Sequence, residues 1–423
     1  MAGFLLFFVS SFCSSTPWAF YLVVQADGFL HESAQKTIEN LEKACAAAPY
    51  ETVHGVIDLF EGTQFKRYFL DQKGMRIVDH SIFHNSISST MKKGALYAFE
   101  GYPHYRTMVI FSGHGSGSME PHDFPLGEKR KLFQIKTESY YSRYCKRKNL
   151  FLADLVYNAM TQSTQDTKSL FFNNSFCLLS STSLCQFLDS VSQNILNGRK
   201  IDIVGFDACH MATLEIADEL VDCAQYMIAS QEAEYKNGWD YTALIESLLL
   251  CPESYSVSRR IVYTYEAQQR KKEGISYSLS ALDLDSIKRF RAVFNKVATH
   301  TALCMSSSSL FHDTVCEVRL KVEQDFLGHS CVDLLSYYEE LLAEIECVPH
   351  TDHVECLKVA LIEALVLLNQ AIIASVSLRE RAFVKGCSIY FPKSYDSSLY
   401  TCSFSSRSLW TSFLMAFNGS LSV

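Results

Sequence analysis

The chain has 423 residues, of which 48% are hydrophobic and 20% charged, the composition of a globular protein with a large buried core. Its net charge of −8 argues against a nucleic acid as the main partner, since phosphate binding needs clustered Lys and Arg. No run of about 18 uncharged apolar residues follows the first 26 positions, so we expect no stable insertion into a membrane.

The first 17 residues allow two interpretations. Gly3–Ser15 has the length of the apolar region of a secretory signal peptide, but no Lys or Arg precedes it. Otherwise this stretch is a buried leading segment that runs into the first strand. The 15 cysteines favour a reducing, cytoplasmic compartment, because their number is odd and no two form a C-x-x-C pair. A secreted location follows instead if residues 1–17 are a signal peptide.

Short apolar runs alternate with helical patterns along residues 18–284. Buried strands of a parallel sheet lack polar alternation, because both of their faces are covered. The predicted strands are Ala19–Val24, Val53–Phe60, Phe65–Leu70, Met75–Val78, Tyr105–Ser112, Ile201–Cys209, Tyr226–Ala229 and Tyr277–Leu284. The predicted helices are Ser33–Ala47, Ile87–Phe99, Leu184–Leu196 and Met211–Val221. This alternation indicates an α/β core with a mostly parallel sheet.

Two regions depart from this alternation. Residues 116–180 are predicted to be an irregular insert, because the apolar pattern loosens there. Residues 285–423 are predicted to be a mainly helical C-terminal extension of the same core. Its predicted elements are the helices Val332–Ile345 and Cys356–Ser375 and a late strand, Gly386–Phe391, that returns to the sheet or packs beside it.

Two of the predicted strands end next to residues that carry chemistry. Val109–Ser112 runs into Gly113-His114-Gly115, and Ile201–Phe206 runs into Asp207-Ala208-Cys209. Because ligands bind at the carboxyl ends of parallel strands, His114 and Cys209 meet on one edge if their strands are neighbours. A thiol and an imidazole placed together are the minimum machinery for nucleophilic acyl transfer.

Each of these residues also has a purely structural interpretation. A lone Cys at a strand end is usually a core residue, and a His beside Gly is usually a turn residue. The two together, each ending a buried strand, are less expected by chance. His210 is interpreted as scaffold, because successive residues point in different directions.

The predicted chemistry gives each group a role. Cys209 attacks a carbonyl carbon as the thiolate, and His114 assists deprotonation and then protonates the leaving amine. The backbone N–H groups of Gly115 and Cys209 are the candidate oxyanion donors. We expect the helix after Cys209 to lower the pKa of the thiol, and the sulfur to be open to solvent. No metal site is predicted, since the sequence has no compact ligand spacing.

The chain resembles the clostripain-like cysteine peptidases, a branch of the clan that contains the caspases, legumain and the gingipains. The matching blocks are Ser112-Gly113-His114-Gly115, Phe206-Asp207-Ala208-Cys209 with Met211–Glu215 behind it, Tyr226–Glu232, and Gly238-Trp239-Asp240-Tyr241. The resemblance implies a caspase-like three-layer fold, with helices on both sides of a mostly parallel central sheet. The chain departs from the family at His210, where an aliphatic residue is usual. It departs from the caspases in the spacing from His114 to Cys209, where Cys209 comes 95 positions after His114 and the caspase spacing is roughly 50.

The resemblance also implies a substrate preference. In this clan the residue two positions before the nucleophile lines the pocket for the side chain that precedes the scissile bond, and here it is Asp207. A carboxylate there would pair with Arg or Lys, bidentately with Arg. The alternative is that Asp207 caps the helix predicted to start near Met211. Asp240 is predicted to be a second acidic wall of the pocket. Calcium binding is implied by the resemblance alone, and the chemistry itself requires no cofactor.

We therefore predict a cysteine endopeptidase that hydrolyses peptide or protein substrates after Arg or Lys through a thioester. Lys131 and Lys148, in the basic clusters 129–131 and 146–148, are candidate self-processing sites or belong to ordinary solvated charge runs. Two other functions stay open. One is a transamidase or ligase that passes the same thioester to an amine, and the other is a catalytically silent binding module.

Overall fold

The structure is a computed structural model that describes most of the chain. The residues it describes are 16–26, 30–49, 52–61, 64–82, 87–113, 181–232, 234, 238–251, 253–271, 277–323, 331–346, 348–349, 351–378, 384–393, 395 and 402–419. The first 15 positions of the predicted leading segment and the whole of the predicted insert 116–180 therefore lie outside the described residues.

Nine strands of the described chain form one central sheet, and two more form a small sheet of their own. The strands are β1 (Trp18–Gln25), β2 (Val53–Glu61), β3 (Gln64–Asp71), β4 (Gly74–Ile82), β5 (Arg106–Ser112), β6 (Ile201–Asp207), β7 (Ala224–Ala229), β8 (Ser278–Asp283), β9 (Cys331–Asp333), β10 (Ile372–Ser377) and β11 (Ser388–Tyr390). The order across the central sheet is β10-β8-β7-β6-β5-β1-β2-β3-β4. The strands from β7 to β2 are parallel, and the strands outside them pair antiparallel.

Helices pack on both faces of this sheet. They are α1 (His31–Ala47), α2 (Ile87–Phe99), α3 (Ser181–Ser190), α4 (Leu214–Leu220), α5 (Tyr241–Leu250), α6 (Ser254–Gln269), α7 (Leu284–Ser307), α8 (Ser309–Lys321), α9 (Leu334–Ile345), α10 (Asp352–Ala371), α11 (Ser403–Arg407) and α12 (Trp410–Gly419). The apolar residues of α1, α5 and α6 form one core with the sheet, and those of α2, α3, α4, α7 and the later helices form the other. None of the described helices has both the length and the apolar character needed to cross a bilayer.

The central strands explain why the predicted pattern lacked polar alternation. Along β1, Phe20 and Leu22 enter one core, whereas Tyr21 and Val23 enter the other. Both faces of the strand are thus covered, as expected for parallel strands between two helical layers. The prediction of a mostly parallel sheet flanked by helices is confirmed.

The C-terminal extension differs from the prediction at two elements. The helix predicted from Val332 begins at Leu334, after the strand β9. The helix predicted to reach Ser375 ends at Ala371, and Ile372–Ser377 forms β10 against β8. The apolar spacing of the helix continues into this segment, so periodicity alone did not mark the boundary. The late strand is Ser388–Tyr390, and it pairs with Cys331–Asp333 beside the central sheet instead of returning to it.

Candidate active site

The strands that lead to His114 and Cys209 are neighbours in the sheet. β5 and β6 are parallel, and their register places Ser112 opposite Asp207. The Ser112 hydroxyl donates to Asp207 Oδ2 at 3.1 Å, and the Gly113 N–H donates to the Asp207 carbonyl oxygen at 3.2 Å. Gly113, the last described residue before His114, is therefore held beside Asp207. His114 and Gly115 lie outside the described residues, so their distance to the sulfur stays a prediction.

The Cys209 sulfur is covered by one peptide segment. The side chain lies just after β6, and the residue is 4% exposed. The Glu234 N–H donates to Cys209 Sγ at 3.3 Å, and the Glu234 carbonyl oxygen lies 4.0 Å from the same sulfur. Burial raises the pKa of the Cys209 thiol to about 12. In this arrangement the sulfur is a protonated thiol with a low nucleophilicity.

Two expectations about Cys209 are therefore wrong for this structure. The sulfur is not open to solvent, because the Glu234 peptide lies against it. Its pKa is raised and not lowered, since burial disfavours the charged thiolate. The following helix begins only at Leu214, where the Thr213 hydroxyl caps it by accepting from the Ile216 N–H. The helix N-terminus is thus several residues away from the thiol.

The role of the backbone N–H of Cys209 as an oxyanion donor stays a prediction. In the described part of the chain it donates to no other residue, whereas the neighbouring His210 N–H donates to the Glu232 carbonyl oxygen at 3.1 Å. An N–H that bonds to no other residue beside a nucleophile is suited to stabilise an oxyanion. Gly115, the other predicted donor, lies outside the described residues.

His210 is part of the scaffold, as predicted. Its backbone adopts φ +61°, a left-handed conformation that is uncommon for residues other than glycine. Its Nδ1 lies 3.0 Å from the Gln231 carbonyl oxygen, and burial lowers the pKa of the ring to about 4. The ring is therefore neutral near pH 7 and fixes the turn after Cys209.

Asp207 has a buried carboxylate that is not a helix cap. It is 6% exposed and accepts from the Tyr241 hydroxyl at 2.8 Å as well as from Ser112. Because Thr213 caps the following helix, the alternative interpretation of Asp207 as a cap is wrong. Gly238 lies directly over this carboxylate: with φ +55°, a Cβ atom at this position would lie 2.5 Å from its oxygens. Burial raises the pKa of Asp207.

Glu234 is a residue of the site that the sequence analysis did not single out. Its carboxyl group meets that of Asp207 in a buried contact, and burial raises its pKa well above the usual range. Glu234 is 6% exposed, and neither of its carboxylate oxygens accepts a hydrogen bond from the described residues. The Trp239 indole N–H lies on the same side and is also without a partner of normal geometry. The sequence offered one signal for Glu234, which is its acidic side chain between the blocks Tyr226–Glu232 and Gly238–Tyr241.

Asp240, predicted to be a second acidic wall, has a structural role. Its carboxylate accepts from the Ala243 N–H at 3.1 Å and caps the N-terminus of α5. The residue is exposed, in contrast to Asp207. We therefore assign Asp240 to the helix cap and leave it out of the proposed pocket.

Gln231 connects the site to the C-terminal part of the chain. Its side-chain amide donates to Asp333 Oδ2 and to Ser388 Oγ, each at 2.9 Å. Its Oε1 accepts from the Gly386 N–H at 2.5 Å. The small sheet of β9 and β11 is thereby fixed against the segment that carries Glu234.

The described residues contain no group of three or more His, Cys, Asp or Glu side chains arranged to hold a metal ion. We therefore assign no calcium site, and the calcium dependence implied by the resemblance stays a prediction. Lys131 and Lys148, the candidate processing residues, lie outside the described residues.

Comparison with known proteins places this geometry in a family. A model of the clostripain family matches residues 177–416. Among solved structures, the chain is similar to iotapain, a secreted C11 cysteine protease from Bacteroides thetaiotaomicron, with a TM-score of 0.61 and 13% identity over 95% of this chain and 99% of that one. A C11 cysteine protease from the same organism, in complex with an irreversible peptide inhibitor, gives 0.58 at 15% identity over 94% and 99%.

An inactive zymogen of a C11 protease from Parabacteroides distasonis is also similar, with a TM-score of 0.55 and 14% identity over 95% of this chain and 99% of that chain. At these identities the likeness shows a shared caspase-like fold. No curated protein sequence matches the chain significantly.

Proposed function

Because the chain belongs to the clostripain family, we propose that it is a cysteine endopeptidase that cleaves peptide bonds after arginine or lysine. The observation that carries this proposal is the pairing of β5 with β6. It holds Gly113, which precedes His114, on the backbone of Asp207, two positions before Cys209. This pairing supports the proposal that His114 and Cys209 act together at one edge of the sheet.

The proposed reaction uses these groups in two stages. Cys209 Sγ loses its proton to His114 and attacks the carbonyl carbon, which forms a tetrahedral oxyanion next to the Cys209 and Gly115 N–H groups. Protonation of the leaving amine by His114 gives a thioester, and water then hydrolyses it. Because the Glu234 peptide covers the sulfur in this structure, this peptide has to move before a substrate can be attacked.

The preference for basic residues rests on Asp207. Its carboxylate lies just before the nucleophile, and it is held by the hydroxyl groups of Ser112 and Tyr241. Neither neighbour is a cation, so the negative charge of the carboxylate is not neutralised by them. A guanidinium or ammonium group of a substrate would supply the missing positive charge.

A cleavage profile on a peptide library tests the nucleophile, the reaction and the pocket together. We expect cleavage after Arg and Lys, complete loss of activity in Cys209→Ala, and unchanged activity in Cys356→Ala, whose cysteine is exposed on α10. Equal cleavage after Asn or Asp would contradict the preference for basic residues. A peptide–amine adduct in place of free acid, when an amine is added, would instead identify a transamidase.

A further inference from the structure

The contact between Asp207 and Glu234 has no positive charge near it. Neither residue makes an ion pair with any described residue, and the groups that act on them are the Tyr241 and Ser112 hydroxyls, the Trp239 indole and backbone N–H groups. Tyr265 and the Cys209 thiol lie close enough to interact with the two carboxyl groups electrostatically, and neither of them is a cation. The described surroundings of the pair are thus neutral or acidic.

Two buried carboxyl groups in contact cannot both be ionised at low cost, because each charge opposes the other in a poorly solvated site. The Trp239 indole and the Ala208 N–H lie near the Glu234 carboxyl group, but no described donor forms a hydrogen bond of normal geometry with its oxygens. Because two carboxylates can only accept, the contact with Asp207 is a hydrogen bond only if one proton lies between the two groups. Such a pair holds and releases its proton as a unit.

We propose that Asp207 and Glu234 together form the receptor for the cationic side chain of the substrate, and that they release their shared proton when it binds. This inference rests on the proposed function, and it adds Glu234 as a second specificity-determining residue. A planar guanidinium has enough donors to reach both carboxylates at once, whereas an ammonium is a compact charge. Arginine is therefore the better substrate residue for a pocket with two carboxylates.

Both carboxyl groups are buried in this structure. Asp207 and Glu234 are each 6% exposed, so a cation reaches them only after the contact between the two side chains opens. A bound cation replaces the shared proton as the group that neutralises the pair. The proton passes to solvent, and the pair changes from one net negative charge to two.

Calorimetry with agmatine, a small guanidinium compound, tests this exchange. Titrations of the full-length protein at pH 7 in phosphate and in Tris, whose ionisation enthalpies differ, give the number of protons released on binding. We expect about one proton per agmatine for the wild type, because one proton is shared by two sites. We expect no proton release from Glu234→Gln, with agmatine affinity and the kcat/KM for Arg peptides each reduced roughly tenfold. Glu246→Gln, an exposed residue on α5, is the matched control and should behave as the wild type.

The outcomes separate this inference from the proposed function. Binding of agmatine by the wild type without proton release overturns the shared proton, and this measurement needs no variant. Unchanged affinity and proton release in Glu234→Gln overturns the role of Glu234, while cleavage after Arg would still support Asp207. If agmatine does not bind and peptides with neutral residues are cleaved as well as Arg peptides, both the inference and the basic preference fail.

Discussion

Cys209 lies at the end of a central strand. Its position was predictable from the sequence, whereas the burial of its thiol was not. The apolar run of β6 and the following Asp207-Ala208-Cys209 indicate a residue at the edge of a parallel sheet. The covering of the sulfur depends on Glu234, 25 positions later in the chain. Such a contact is set by the path of the loop after β7, and no local pattern encodes it.

Burial of the Cys209 thiol predicts slow alkylation in the absence of substrate. With its pKa raised to about 12, the thiolate fraction is very small at pH 7.5 and increases about tenfold per pH unit. We expect iodoacetamide to modify the exposed Cys356 at least about tenfold faster than Cys209, as measured by mass spectrometry of the tryptic peptides.

The rate at Cys209 should also rise steadily between pH 7 and pH 10 without a plateau, because the thiolate is the reactive form. Unfolding in urea should bring the two cysteines to similar rates. Modification of Cys209 as fast as Cys356 in the folded protein would contradict the covered arrangement.

At the scale of elements, the side chain of Gln231 is the main polar link between the site and the small sheet of β9 and β11. It is 2% exposed and bonds to Asp333, Ser388 and Gly386. Loss of such a bond leaves buried partners unsatisfied, and this costs more than the bond itself contributes. The three bonds act as one unit because they share a single side chain.

Replacement of Gln231 should therefore destabilise the protein. We expect Gln231→Ala to lower the free energy of unfolding by about 2–4 kcal/mol, and Gln231→Met, which keeps the volume, to be no better. The exposed Gln35→Ala on α1 should change it by less than about 0.5 kcal/mol. Urea unfolding followed by tryptophan fluorescence measures all three. A Gln231→Met variant as stable as the wild type would show that the side chain only fills space.

The elements themselves followed from the sequence where a pattern was local. The helix Ile87–Phe99 was predicted to the residue, and the hairpin of β3 and β4 was predicted in the right place, although β4 continues to Ile82 and not only to Val78. β10 was missed because Ile372–Ser377 continues the apolar spacing of α10. Its identity as a strand is fixed by pairing with β8, a tertiary contact.

For the whole molecule, the sheet pairs β5 and β6, the two strands that lead to His114 and Cys209, although residues 114–180 separate them in the chain. The chain leaves the described structure after Gly113 and returns at Ser181, yet β5 and β6 on either side of the gap are adjacent. The Thr107 N–H and hydroxyl both bond to Asp202 Oδ2, at 2.9 and 3.0 Å. A cut between β5 and β6 would leave these contacts in place.

Self-processing at Lys131 or Lys148 is therefore expected to give two pieces that stay together. We predict two bands for the purified wild type on a denaturing gel, one peak in gel filtration, and a single intact band for Cys209→Ala. The paired strands supply the association, and the cysteine supplies the cleavage. A single intact band for both proteins would count against self-processing.

The dual position of Glu234 has a consequence for how the protein treats molecules that are not substrates. Its main chain lies on the Cys209 sulfur, and its side chain meets the carboxyl group of Asp207. If the Glu234 side chain moves toward a bound cation, the Glu234 peptide that covers the Cys209 thiol moves with it. Binding of the cation and exposure of the thiol are in this way coupled through Glu234. A polypeptide without a basic residue would therefore leave the thiol covered.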